Sequence, residues 1–258
     1  GPDPDDPSSV GMGDYLCGWT PAGDRTVGEA VAASSAFPVL FPPLVLDGLN
    51  PDEFHDGDPE YPDGAKQNVA LTDGGVYDNM GLEPVWKGCK TVLVSDAGAP
   101  FEHRDDPKVN LLARLARSFN VSLDQSLAVR KRRLISMFDA GTMEGAYWGL
   151  GSNPDNYGFE DSKGYGGEAL GRLTDVRTDL DTFTDEERAC LENHGYAITD
   201  TEVRKWASEL VDRNQRFEWP HGDYSEPSAV KSALAESASR GLLEDLWRKA
   251  KEAVVGEQ

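Results

Sequence analysis

The stretch of this chain richest in potential chemistry is Asn68-Val-Ala-Leu-Thr-Asp-Gly-Gly-Val-Tyr-Asp-Asn-Met-Gly-Leu-Glu-Pro84, where a short apolar run ends on an acid and breaks on two glycines. Val69, Ala70 and Leu71 predict a buried strand, and Asp73 sits where that strand stops. Gly74 and Gly75 carry no β-carbon, so the backbone there can turn through conformations closed to other residues and let a ligand come close. A strand end is where open α/β sheets place ligands. A carboxylate held there can take a proton from a hydroxyl nucleophile, provided the site is dry and the charge developing on the substrate is stabilised. The competing reading is an ordinary turn, because Asp-Gly is a common turn signal.

Two other segments keep company with this one: Glu29-Ala-Val-Ala-Ala-Ser-Ser-Ala-Phe-Pro-Val-Leu-Phe-Pro-Pro43 upstream and Cys89-Lys-Thr-Val-Leu-Val-Ser-Asp-Ala-Gly98 downstream. The order AVAASSAFPVLFPP, LTDGGVYDNMGLEP, VLVSDAG resembles the C-terminal half of the patatin-like phospholipases, a family of lipid acyl hydrolases. The likeness runs from about Gly13 to about Trp206 and includes YWGLGSNPDNYG and LENHGYAITDTEVRKW. The resemblance implies a three-layer α/β/α fold, of which this chain is the C-terminal portion. Its sheet would be mostly parallel, with strands near Val69 to Thr72 and Thr91 to Ser95. It implies a Ser-Asp dyad in which Asp73 is the general base and Gly74 and Gly75 form the motif turn. It implies a lipid or other acyl-ester substrate, and neither a metal nor a cofactor.

The same resemblance exposes a departure. The family's nucleophile is the serine of a Gly-x-Ser-x-Gly elbow, placed upstream with a glycine-rich oxyanion loop, and this chain contains neither. Ser34 and Ser35 in AASSAF and Ser95 in LVSDAG have no elbow glycines. The 258 residues are therefore expected to be the second half of an enzyme, inactive alone, with an incomplete sheet edge or apolar face where the missing N-terminal half belongs. The alternative is a non-catalytic lipid-binding or scaffold domain that keeps the fold. A Ser-His-Asp triad within the chain is disfavoured, since His55, His103, His194 and His221 all stand in polar or turn contexts.

Phe37, Leu40 and Phe41 lie among prolines that forbid regular helix, and such an apolar loop is a candidate lining for an acyl-chain pocket or a core-packing crossover. Asn79 is a further pocket candidate and a candidate cap for a helix that tolerates Pro84 only in its first turn. Asp96, at the end of a strand from Thr91 to Val94, is a possible second carboxylate near the site. The acids of the loop from Gly48 to Lys66 fit no EF-hand spacing and read as a solvated excursion.

A formal net charge of −21 argues against nucleic acid as a partner and against simple electrostatic attachment to anionic membranes. Three cysteines without metal spacing suit a reducing compartment or buried packing. No signal peptide is visible, and the longest apolar run, Ala36 to Leu46, is short and broken by prolines, so a cytoplasmic or peripheral, transient membrane-surface location is expected. Residues 1–10 read as a disordered linker, 11–213 as the domain and 214–258 as a helical tail.

Within the domain, Thr26 and Glu29 form a capping box for a helix through Ala33, and Thr184 with Glu187 forms another for a helix that Gly195 ends, with Thr199 and Glu202 opening the next. Tyr15 and Trp19 are expected packing anchors. From Pro107 an amphipathic helix is expected to about Arg133, ending in the basic run Arg130 to Arg133, which either caps the last turn or meets a lipid head group. Strands are expected at Leu134 to Phe138 and Gly145 to Leu150, followed by a glycine-rich loop.

Overall fold

A computed structural model describes residues 11–38, 41–98, 111–177, 182–212 and 216–237. The chain divides into two compact units, Gly1–Gly81 with His103–Arg130, and Leu82–Glu102 with Lys131–Gln258. The expected linker at 1–10, Leu40, His103 and the tail beyond residue 237 lie outside the described residues.

The first unit opens with an antiparallel hairpin, β1 (Gly11–Asp14) and β2 (Gly18–Pro21). Its turn is organised by Asp14, whose Oδ1 accepts the N–H groups of Leu16 and Cys17 at 2.7 and 2.8 Å. Helix α1 (Val27–Ser34) starts at the predicted capping box: Thr26 accepts the Glu29 N–H, and Glu29 returns the favour to the Thr26 N–H at 2.7 Å. These bonds, first from the Thr26 backbone and then its hydroxyl, hold the Glu29 carboxyl below its ordinary range. Strand β3 (Leu44–Leu46) pairs antiparallel with β4 (Val69–Leu71), with helix α2 (Asp63–Gln67) between them in sequence. Tyr15 is 70% exposed and so is no packing anchor, while Trp19 is tied by its backbone to His55 in both directions.

The second unit contains α3 (Leu82–Trp86), β5 (Thr91–Asp96), β6 (Glu144–Gly149), α5 (Gly167–Thr174), α6 (Asp185–Trp206) and α7 (Pro227–Ala233). The long helix α4 (Leu111–Asp139) gives residues 111–130 to the first unit and 131–139 to the second. Strands β5 and β6 are parallel, with Thr91 opposite Glu144 and Asp96 opposite Gly149. A parallel pair needs a long crossover, and α4 is that crossover. On one face of the pair Ala146 and Trp148 pack against Ile198 of α6. Leu93, on the same face of the neighbouring strand, stays 46% exposed. The main core of the unit gathers Tyr165, Leu173 and Cys190 with Val230 and Leu234, so α7 is seated in the same core as α5 and α6.

The chain is mixed α/β, but its strands do not join one mostly parallel sheet: the described residues form three two-stranded sheets, and only β5–β6 is parallel. Val69–Leu71 finds its partner in Leu44–Leu46, a run too short to stand out among prolines. The expected strand at Leu134 to Phe138 is the end of α4, because the helical period carries Leu134 into a fully buried position. The expected break at Gly195 does not occur. Helix α6 runs through it, and Thr199 donates to the Gly195 carbonyl instead of capping a new helix. A glycine inside a helix costs about 1 kcal/mol, and burial of His194, Ala197 and Ile198 on either side offsets it.

Candidate functional site

Asp73 follows the end of β4 and is fixed from two directions. The Ala36 carbonyl, just beyond α1, accepts the Asp73 N–H at 3.1 Å and the Thr72 hydroxyl at 2.9 Å. Asp73 then caps the short 3₁₀ turn Gly74–Val76, its Oδ1 accepting the Gly75 N–H at 2.7 Å. The carboxylate is half-buried, and among the described residues no other side-chain hydrogen bond reaches it, which leaves Oδ2 available to a proton donor.

Neither Gly74 nor Gly75 adopts a positive φ, so what matters here is space, and only at Gly75. A β-carbon on Gly75 would stand 3.0 Å from Asp73 Oδ1 and 3.1 Å from Asn79 Oδ1, so the missing side chain is what allows the two polar groups to flank the turn. A β-carbon on Gly74 would meet only Ser34 Oγ, at 3.7 Å. Ser34 is thus the serine that folding brings beside the motif turn, although its sequence context lacks elbow glycines. Ser95 lies exposed on β5 in the other unit.

The turn is anchored further along by α4. Ser126 donates to the Tyr77 carbonyl at 3.0 Å and accepts from Arg130 Nη1 at 2.7 Å. The Arg130 guanidinium lies 4.6 Å above the Tyr77 ring and pairs with the Asp78 carboxylate at 3.5 Å. Three of the four residues of the basic run are engaged by the protein itself: besides Arg130, Lys131 lies 4.3 Å over Tyr147 and Arg133 4.5 Å over Trp86. Asn79 is exposed and precedes α3 by three residues instead of capping it, while Pro84 does fall in the first turn. Phe37 packs edge-on against Phe119, with centroids 5.6 Å apart, and Phe41 is largely exposed. Neither lines the cavity of about 140 Å³ behind β4, nor the one of about 480 Å³ bounded by Phe138, Met143, Trp206 and Glu209 in the second unit.

Asp96 does end β5 as expected, but it belongs to the second unit. Its Oδ1 accepts the Gly98 N–H at 2.8 Å and its Oδ2 the Tyr147 hydroxyl at 2.5 Å. Burial, reinforced by Asp96, pushes the Tyr147 phenol far above its ordinary value. Nearby in sequence logic but invisible to it, the buried Glu202 accepts the Tyr157 hydroxyl, and burial raises the carboxyl's pKa. His194, read as standing in a polar context, is fully buried on α6. Its Nδ1 accepts the Tyr165 N–H at 3.1 Å, and its ring stacks on Tyr165. Burial lowers its pKa to about 4, with the Leu150 backbone acting in the opposite sense. A histidine between an asparagine and a glycine gives no sequence signal for this. Only its place on the α6 face that meets Tyr165 does.

No family model, curated protein or solved structure matched the chain when it was compared with each. Among the described residues no helix is long and apolar enough to cross a membrane, and no three His, Cys, Asp or Glu side chains are grouped to hold a metal.

Proposed function

We propose that this chain is the Asp-bearing part of a patatin-like lipid acyl hydrolase, in which Asp73 serves as general base to a serine supplied from outside these 258 residues. The observation that carries the reading is the state of the Asp73 carboxylate: one oxygen is locked by the Gly75 N–H and the other has no partner among the described residues. A carboxylate so placed is oriented yet still able to accept a hydroxyl proton as the acyl carbon is attacked, and to return it to the leaving alcohol. An aqueous aspartate, with a pKa of about 3.9, is a poor base for serine, so the site must be dried by the rest of the enzyme and its oxyanion stabilised by groups this chain lacks. The exposed Leu93 side chain, and sheets of two strands each among the described residues, fit a sheet that continues into another segment.

The test is a pair of measurements. The isolated chain should hydrolyse no ester and take no label from a serine-directed fluorophosphonate. Stoichiometric label at Ser34, the serine beside the turn, would place the nucleophile inside the chain and overturn the reading. The alternative is a non-catalytic, lipid-binding scaffold that keeps the fold. Lipid binding unchanged by Asp73→Asn, with no hydrolysis by any form of the natural protein, would establish it.

A further inference from the structure

Behind the strand that leads to Asp73 lies a cavity of about 140 Å³, lined among others by Met12, Cys17 and Thr20 of the hairpin segment, Leu46 of β3, and Val69 and Leu71 of β4. All belong to the first compact unit. The alternation of the strand explains the selection: Val69 and Leu71 face the cavity, while Ala70 between them is exposed on the other side. Leu46, paired with Val69, continues the same face across the sheet. The lining also carries two polar side chains, Asp14 and the buried Thr20, of which Asp14 is engaged through one oxygen. Asp14 Oδ1 holds the Leu16 and Cys17 N–H groups, and the Cys17 thiol donates to the Gly18 carbonyl at 3.3 Å.

Asp73 lies two residues beyond Leu71, just past the end of β4. Most of the side chains lining the cavity are apolar, and its volume is about that of a guest the size of benzene. It has no room for a long fatty chain. We propose that this cavity is a binding site for a short hydrocarbon group of about four to six carbons. This rests on the acyl-hydrolase reading above for one further step only: there, the group is the tail of a short-chain acyl ester whose carbonyl lies toward Asp73.

The experiment uses the 258-residue chain and three probes: benzene, methyl butanoate and methyl decanoate. Methyl NMR signals of Leu46, Val69 and Leu71 should shift with the first two and not with the third. Val69→Phe, which fills the cavity, should weaken benzene and butanoate binding at least tenfold. Leu71→Ala, which enlarges it, should admit the longer ester, so a Val69→Phe chain that fails to fold does not remove the test. No shift with benzene, equal binding of butanoate and decanoate, or binding unaltered by both substitutions overturns the proposal. Binding as described, together with full ester hydrolysis by Asp73→Asn in the natural protein, would retain the cavity site and refute only the role of Asp73.

Discussion

His194 gives the second unit a built-in sensitivity to acid. In the unfolded chain its imidazole binds a proton near pH 6.5, whereas in the folded chain burial delays protonation to about pH 4. Between those values the unfolded state holds more protons, so the stability associated with the neutral ring is complete above pH 6.5 and is lost as pH falls toward 4. A difference of that size corresponds to about 3 kcal/mol. The ring is fully buried, so solvent screening does not discount it. Protonation would also remove the acceptor that Nδ1 offers to the Tyr165 N–H and place a charge against the Tyr165 ring. The assay is urea unfolding at a series of pH values from 7 to 4, comparing the wild type with His194→Gln, which keeps an acceptor but cannot charge. The variant should be less stable at pH 7 because it packs less well, and its stability should fall less steeply with acid. The wild-type minus variant difference should shrink by about 3 kcal/mol over the interval. Parallel curves, or an NMR titration placing His194 near pH 6.5, would refute the reasoning.

Glu187 accepts from Arg177 at 2.8 Å and closes the α6 capping box, with side chains 1% and 8% exposed, so Glu187→Gln should cost about 3 kcal/mol by leaving a buried guanidinium poorly paired, measured as a lowered midpoint in urea. Glu202 works in the opposite sense to His194: its raised carboxyl pKa means stability declines as pH rises above the unfolded value of 4.5, and Glu202→Gln should flatten that limb of the profile. Gly145→Ala should unfold the β5–β6 pair, because its φ is +136° and a β-carbon would stand 1.9 Å from the Val92 carbonyl oxygen; circular dichroism showing native stability would contradict this. Gly75→Ala should displace the Asp73 carboxylate and depress ester hydrolysis in the natural protein, while Gly74→Ala, with only Ser34 Oγ in ordinary contact, should be tolerated.

Local signals were the ones the chain announced. Thr26 with Glu29 and Thr184 with Glu187 are short-range capping pairs, and both form as the spacing dictates. The apolar run at Val69 and the one at Thr91 are strands for the same reason: their hydrophobicity is contiguous. What sequence alone did not reveal depends on partners far apart in the chain. The antiparallel partner of Val69–Leu71 comes from Leu44–Leu46, and the continuation of α4 past Arg133 depends on burying Leu134. In the site, Asp73 at a strand end was legible, but the Ala36 carbonyl that pins it and the Arg130–Asp78 pair that anchors the following residues were not. Gly75 was legible as a glycine and misread as to cause: it makes room for Asp73 and Asn79, and its φ is not positive.

The role of Asp73 is tested most directly by the rate of ester hydrolysis in the natural protein carrying Asp73→Asn. The amide is nearly isosteric and Asn can keep an oxygen toward the Gly75 N–H, so the turn should survive, with unchanged circular dichroism and melting temperature. Loss of the proton acceptor should lower kcat by a factor of about 10² to 10⁴. Wild-type kcat in a folded Asp73→Asn protein would contradict the account at its centre.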